Sequence, residues 1–504
     1  MSEKRTPIGN KMTAPVATSR FSVATSNEAT DLFTLPPTDI SSVRRKYVSL
    51  EPLSTSITPV EFIVPPMVEY VDLSRSYFTM DVTLMKDANT KADKDIECGP
   101  LPNLFHTIIR QPSVYLNSTL ITEQTDTYPW KAYLETILNY SSDASQTFLA
   151  TQGWYNALDG FAAFSNTNLW DGTDNSSGSG TKYGHADHIS TLKKGVKTAG
   201  TEKDKSLGDL LRLRNQCLNV CRLVGRPHID IFQQDRLLVP GVEIKIRLDL
   251  NAKEFWLLGN NTTGVEMVPE AVKMKLHLCQ VDLHPTLFAT VKRRRLTQNA
   301  LYPTVRSEIR TYHMSSETLF DEFDIFRGRI PDRVVMVLLT PNQFNGAIGA
   351  NPFSFKKHGL IDLKQYINGE EQPYESLELT GAFKHDHDMD GYHRLMQASC
   401  IQPRNKDSLI KARHWGHLGI DLDTSTAADV GQVNDGETTL FMCDNIASGC
   451  ADDANTLNPR KRGNYRLRFR LDTANTLKVL IYGEFENTLQ INRDGMVIYP
   501  IYKE

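Results

Sequence analysis

The sequence predicts an all-β chain made of two tandem eight-stranded antiparallel jelly rolls, a double jelly roll with short helices and long loops. Three observations carry this. Many short segments alternate apolar and polar residues, the period of a strand with one buried face. The stretch GVEIKIRLDL, Gly241 to Leu250, returns as GNYRLRFRLD, Gly463 to Asp472. Ile244, Ile246 and Leu248 match Leu467, Phe469 and Leu471, while Lys245, Arg247 and Asp249 match Arg468, Arg470 and Asp472, at a constant offset of 223 positions. The halves also share an order: strand, Asn-containing turn, strand, short helix, late strands. A chain that writes one all-β unit twice, with long connections at the sheet ends, fits the jelly roll, in which two antiparallel sheets bury a shared core.

Residues 1–45 are rich in Ser, Thr and Pro, and Lys4, Arg5, Lys11, Arg20, Arg44, Arg45 and the adjoining Lys46 give the segment a mild basic excess. They read as an extended N-terminal arm, either a solvated tail or a tether to neighbouring subunits or an inner surface. The first jelly roll is expected over residues 46–252. Phe78, Met80, Val82 and Leu84 alternate with Thr79, Asp81 and Thr83, as a half-buried strand does. VYLNSTLIT reads as two short strands about Asn117-Ser118, and Ile229 and Ile231 alternate later. One helix interrupts them. In TYPWKAYLETILNY, Trp130, Tyr133, Leu134, Ile137 and Leu138 fall on one face, with Pro129 at the start.

The second jelly roll is expected over residues 253–504. Val272, Met274, Leu276 and Leu278 alternate, RVVMVLLT is a continuous apolar run suited to a strand covered on both faces, and Asn368-Gly369 is a hairpin turn. Tyr392, Leu395 and Met396 repeat the helical spacing, and KVLIYGEF and MVIYPIY supply closing strands. Two long loops, 141–210 and 422–462, are rich in Gly, Ser, Asn and Asp, which marks them as surface features.

Bulk properties agree with an ordinary globular protein. The 504 residues are 40% hydrophobic and 23% charged, and the net charge of −4 gives no global pull toward nucleic acid. The seven cysteines form no CxxC pair and read as reduced thiols, with Cys217 and Cys221 spaced to suit one face of a strand. No apolar signal core opens the chain, and no run is long enough for a membrane span, so folding in a reducing compartment is expected.

Catalytic motifs are missing. There is no GxxxxGK[ST], GxSxG or HExxH, so no enzymatic activity, catalytic residue or cofactor is assigned. The weak metal candidate is HDHDMDGYH, where Asp386, Asp388 and Asp390 open like a calcium loop, but position 12 would be Gln397 instead of a bidentate Glu. An exposed acidic turn explains the same residues. KRRR, Lys292 to Arg295, is the densest basic cluster; it could meet nucleic acid or act as an address, but reads first as a solvated stretch or a set of partners for acidic neighbours. Trp154, Tyr155 and Trp170 would stack sugars if exposed, which keeps open a lectin-like carbohydrate-binding alternative.

Four long segments, GRPHIDIFQQDRLLVPGVEIKIRL, TYPWKAYLETILNY, LTPNQFNGAIGANPFSF and YGEFENTLQINRDGMVIY, resemble the double jelly-roll major capsid proteins of Polinton-type viruses and adintoviruses, of the adenovirus–tectivirus-like lineage. The resemblance runs in one order over nearly the whole chain. It implies a homotrimeric, pseudo-hexagonal capsomer that tiles an icosahedral shell around double-stranded DNA. The implied partners are neighbouring capsomers, vertex (penton) proteins and minor capsid proteins, with packaged DNA touched at most indirectly. The implied location is the virion, after assembly in the host nucleus or cytoplasm. A variant of this expectation has the tower loops bind a receptor.

Overall fold

The computed structural model describes residues 38–53, 59–87, 90–91, 98–155, 212–259, 266–347, 350–372, 376–379, 389–401, 406–412, 415, 438–445 and 461–499. Two antiparallel jelly rolls stand in tandem. In the first, one sheet runs Ser42–Leu50, Glu266–Leu283, Tyr70–Asp87, with Cys221–Gly225 and Thr90–Lys91 also paired to Tyr70–Asp87. The facing sheet runs Val60–Val64, Ile244–Leu250, Ile109–Leu116, Thr119–Leu120. Phe62 of one sheet meets Phe78 of the other edge to face, with centroids 5.5 Å apart. The alternation in Tyr70–Asp87 is the reason: Phe78, Met80, Val82 and Leu84 are buried, and a period of two sends them all to one side. Asp81 and Thr83, expected on the wet face, are buried too. Arg222 on the neighbouring strand covers Asp81, with Nε and Nη2 donating to its two carboxylate oxygens at 2.7 and 2.9 Å.

Strand Glu266–Leu283 lies beyond the division expected at residues 252/253. Its hydrogen bonds nevertheless run to Ser42–Leu50 on one edge and Tyr70–Asp87 on the other, so the first jelly roll extends to Leu283. The alternation of Met274, Leu276 and Leu278 specified a buried face, and no local pattern says against which sheet that face closes. The strand Ser42–Leu50 likewise claims the end of the expected arm, while residues 1–37 lie outside the described residues. Helix Pro285–Arg294 then leads to the second jelly roll.

The second unit is organised by two long strands, Ala300–Phe326 and Tyr465–Ile491, paired along most of their lengths. Residues 465–471 also pair with Leu360–Ile367, and residues 478–484 pair with Arg333–Leu339. Strand Phe441–Asp444 continues the latter sheet. The long strands thus pass from one sheet to the other around a corner. Register shifts between Met314 and Glu317 and between Glu317 and Leu319, with Ser316 at φ +49°, make the bend. Arg333–Leu339 is buried at every position, as its unbroken apolar run requires.

The duplication is visible atom for atom at one place. Strand Ile109–Leu116 turns through Asn117-Ser118 into Thr119–Leu120, and Leu360–Ile367 turns through Asn368-Gly369 into Glu370–Glu371. Both two-residue loops have positive φ throughout, 45° and 69° in the first, 54° and 87° in the second, as hairpins with the favoured twist demand. The Asn117 side-chain oxygen accepts from the Glu243 backbone N–H at 2.8 Å, and the Asn368 oxygen accepts from Asn464 N–H at 3.0 Å. Each Asn N–H donates back, to Glu243 O and Asn464 O at 3.0 and 3.1 Å. Leu116 pairs with Ile244 and Ile367 with Tyr465. Tyr465 therefore takes the place of Ile244, an offset of 221 (465 minus 244), not the 223 read from residue identity. A slip of two preserves the face, so Ile244, Ile246 and Leu248 and their counterparts Tyr465, Leu467 and Phe469 are all buried.

Ile229 and Ile231, expected in a strand, flank and enter a short helical turn, Asp230–Phe232. The two thiols also part company: Cys217 ends a helical stretch and Cys221 starts a strand.

Candidate functional site

For a protein whose sequence offers no reaction, the functional geometry lies where the two jelly rolls meet. The seam is filled by helix Tyr128–Asn139, with Pro129 in its first turn, where a missing N–H costs nothing. Tyr128, Trp130, Ala132, Tyr133, Leu134, Thr136, Ile137 and Leu138 are all buried, which is more than one face. A helix apolar nearly all round is covered from both sides. Its second cover is the second jelly roll. Trp130 stacks on Phe344 with centroids 5.0 Å apart and planes within 12°, and its Nε1–H donates to Pro352 O at 3.2 Å. One turn on, Tyr133 stacks on Phe353 at 4.3 Å. Each such aromatic pair contributes roughly 0.5–1.5 kcal/mol beyond its buried area.

The helix also carries two charges into the seam. Lys131 Nζ lies 2.6 Å from Asp230 Oδ1 and 3.8 Å from Glu135 Oε1. Burial works against the Lys131 charge, but Asp230 and Glu135 more than offset it and hold the ammonium above its ordinary pKa. His228 is pushed down to about 3, by burial first and by the Lys131 and Arg226 cations second, so it is neutral. Its Nδ1, 2.7 Å from Glu135 Oε2, then shares a hydrogen bond with that carboxyl and makes no ion pair. Glu135 Oε1 is 3.2 Å from the hydroxyl of Tyr482, on a strand of the second jelly roll. Tyr482 is also 2.9 Å from Glu484, which holds Arg333 at 2.6 Å. A polar chain therefore crosses the seam from one unit to the other.

A second crossing sets two acids face to face. Glu123, just past the first hairpin, faces Glu308 on strand Ala300–Phe326, and Arg310 reaches both, at 3.8 and 3.1 Å. Arg306 holds Glu308 at 2.9 Å. Burial, then Glu308, pushes Glu123 up to about 7, against the pull of Arg310, Arg306 and Lys131. A cavity of about 40 Å³ opens here, lined by Glu123, Lys131, Asp230, Arg306, Ser307 and Tyr499 among others. Ser307 Oγ is buried without a protein partner, and the space suits about three waters.

The sites expected from sequence fare differently. Asp386 and Asp388 lie outside the described residues, and Asp390 is exposed in the first turn of helix Met389–Ala398. An acid in the first turn of a helix has its own electrostatic reason. Among the described residues no group of three metal-ligating side chains occurs. Trp154 and Tyr155 are buried, the latter donating to Pro100 O at 2.9 Å, so they offer no sugar platform; Trp170 lies outside the described residues. The 141–210 loop opens with folded helical turns over 142–152, and its tower tips, together with most of 422–462, lie outside the described residues. Lys292, Arg293 and Arg294 end helix Pro285–Arg294 and are exposed there, complementing its dipole. Among the described residues no helix is long and apolar enough to cross a membrane.

Comparison with known proteins agrees with this architecture. No protein-family model matches the chain. An uncharacterized protein of Caenorhabditis elegans, F54H12.2, is 21% identical over 473 residues, covering 90% of this chain and 96% of that protein. A chain of the Sputnik virophage structure superposes with a TM-score of 0.56 at 11% identity, covering 96% of this chain and 94% of that one. The mavirus major capsid protein superposes at 0.50 and 10% identity, covering 96% and 97%. A chain of the PBCV-1 virus capsid gives 0.53 at 11%, covering 94% and 100%. At these identities the likeness is one of fold, and it spans both jelly rolls.

Proposed function

We propose that this chain is a major capsid protein that assembles, three copies at a time, into pseudo-hexagonal capsomers of an icosahedral shell around double-stranded DNA. The observation that carries the reading is end-to-end superposition on the mavirus major capsid protein, 96% of one chain on 97% of the other. The internal duplication supplies the physical logic. Two like units per chain let a three-fold ring present six similar edges, and closed rings are built from heterologous contacts. Neighbouring capsomers, penton proteins and minor capsid proteins are the partners in this reading, and the virion, filled inside a host cell, is the location. The lineage is that of Polinton-type viruses and adintoviruses. The reading assigns no reaction to the chain. It also places the division between the two units at helix Pro285–Arg294, where the first sheet has closed and the long strand Ala300–Phe326 has yet to begin.

Light scattering on purified chain tests this. Three 56.9 kDa copies give about 171 kDa, held by contacts of roughly 2,000 Å² or more, and electron microscopy of concentrated material is expected to show closed shells. A chain that stays monomeric at tens of micromolar defeats the reading.

A further inference from the structure

We infer that Cys217 and Cys221 form an oxidation site: a dithiol that closes to a disulfide when the chain meets a small-molecule disulfide such as oxidised glutathione, and so fastens the helical stretch that follows loop 141–210 to the first sheet. Nothing in this depends on the capsid reading. It needs only a chain that folds with reduced thiols and later meets an oxidant.

Cys217 ends the helical stretch 212–217, and Cys221 opens strand Cys221–Gly225, opposite Val82 in the first sheet. Leu218, Asn219 and Val220 lie between them. Leu218 N–H donates to Arg214 O at 3.0 Å and Asn219 N–H to Gln216 O at 3.2 Å, which turns the chain sharply as the helix ends. The two cysteines sit in different elements, but the turn brings their sulfurs together: the Cys217 thiol donates a hydrogen bond to the Cys221 sulfur. Both side chains are buried, Cys217 fully, whereas Val220 beside Cys221 is 45% exposed. The pair therefore lies just beneath a surface turn.

The contact also divides the roles. The hydrogen bond from Cys217 holds the Cys221 thiol below its ordinary pKa, against burial and the Asp81 carboxylate. The same bond, with burial behind it, holds the Cys217 thiol well above its own. The thiolate is the nucleophile, so Cys221 attacks and Cys217 resolves. Cys221 Sγ, its proton lost to solvent, attacks one sulfur of oxidised glutathione. The glutathione S–S bond breaks, and one glutathione leaves as a thiolate and takes up a proton. Cys217 Sγ, deprotonated in turn, attacks Cys221 Sγ in the mixed disulfide and expels the second glutathione. Two hydrogens and two electrons pass from the cysteine pair to two glutathione thiols. Cys443 is the contrast: burial pushes its thiol up to about 12, as in an inert structural cysteine. The new bond joins the helical stretch to the strand that carries Arg222, the residue paired with Asp81.

The full-length chain tests this without any substitution. Trypsin cuts after Arg214 and Arg222, so both cysteines fall in one peptide, Asn215–Arg222. The folded protein is held in a glutathione buffer rich in the disulfide form, then denatured, alkylated with iodoacetamide and digested. The expected peptide is lighter by two hydrogens and carries no alkyl group, and dithiothreitol restores both alkylation sites. The inference is overturned if both cysteines are still alkylated after incubation with oxidised glutathione and with the smaller cystamine. A glutathione adduct that persists on Cys221, or a disulfide between chains on a non-reducing gel, overturns it equally. In Cys217→Ser the adduct is expected to stop at Cys221, and in Cys221→Ser Cys217 is expected to stay unreacted; an adduct on Cys217 refutes the division of roles. The oxidised protein is expected to melt above the reduced one, and Cys217→Ser to lose the difference. Equal melting temperatures would refute the fastening. Should either variant fail to fold, the peptide from the unaltered chain decides alone.

Discussion

The twin hairpins give the sharpest test of the duplication, because each contribution is separable. Asn368→Ala removes the oxygen that accepts from Asn464 N–H at 3.0 Å, worth about 1 kcal/mol net. It also forces Ala to hold φ +54°, which costs an L-residue about 1 kcal/mol more than it costs Asn. The expected loss is about 2 kcal/mol. Asn117→Ala loses the same two contributions, from the 2.8 Å bond and φ +45°, together with a further bond, Nδ2–H to Gly495 O at 2.6 Å. Its expected loss is about 3 kcal/mol. Glycine tolerates positive φ, so Asn368→Gly and Asn117→Gly should recover about 1 kcal/mol each. Ser118 sits at φ +69° where the second hairpin has Gly369, so Ser118→Gly should stabilise by roughly 0.5–1 kcal/mol. Urea titration followed by tryptophan fluorescence measures the series. Should Gly do no better than Ala at either Asn, or should the Asn368 pair cost nothing while the Asn117 pair costs 3 kcal/mol, the two turns are not equivalent devices and the structural argument for duplication fails.

Three further perturbations probe the seam and the core. Trp130→Ala removes the stack on Phe344 and the bond to Pro352 O and should cost about 3–5 kcal/mol, whereas Trp130→Phe should cost much less; equal losses, measured by urea unfolding, would mean the ring stack is not what matters. Glu123 has its carboxyl pushed up from 4.5 to about 7, so the folded state binds the proton more tightly than the unfolded one. That contribution is complete below about pH 4.5 and is lost as pH rises through about 7, with a ceiling near 3 kcal/mol that the adjoining polar cavity lowers to about 1–2. Glu123→Gln should flatten the fall in melting temperature between about pH 4.5 and 7, and an unchanged slope would reassign it to other groups. Gly225→Ala brings a Cβ to 2.4 Å from the buried Phe105 ring, and the displaced ring should cost about 1–3 kcal/mol, readable as a lower thermal midpoint.

How far the sequence carried the fold depends on what kind of information each feature needed. Alternation located the strands Tyr70–Asp87 and Ile244–Leu250 and their buried faces, because a face is a local property. The repeat was legible to the face but not to the register: a shift of two leaves every inward residue inward, and only the Asn117 and Asn368 hydrogen bonds fix the offset at 221. The membership of Glu266–Leu283 was illegible, because its partners are some 200 residues upstream. The seam network was missed for the same reason. Lys131 and Glu135 sit a helical turn apart, a spacing that the polar stripe of any surface helix shares, while Asp230, His228 and Tyr482 approach from distant positions. One signal was present in HIDIF, where His228 and Asp230 alternate with Ile229 and Ile231. The same alternation reads as a strand, because a helical turn and a strand look alike over so few residues.

The two helices show what duplication leaves free to change. Both follow an Asn hairpin, yet Tyr128–Asn139 is buried on most sides and carries Lys131 and Glu135 into its contact, while Met389–Ala398 leaves Met389 exposed and Tyr392 half-buried. The contact of the first helix closes between units that are already tethered in one chain, so buried charges are tolerable: their partners Asp230, Glu484 and Arg333 arrive with the fold, and desolvation is offset by pairs fixed in place. The hairpins kept the same Asn–backbone hydrogen bonds in both copies, and Asn117 adds one to Gly495 O of the second unit. Divergence is therefore concentrated at the helices, where the first unit meets the second within the chain.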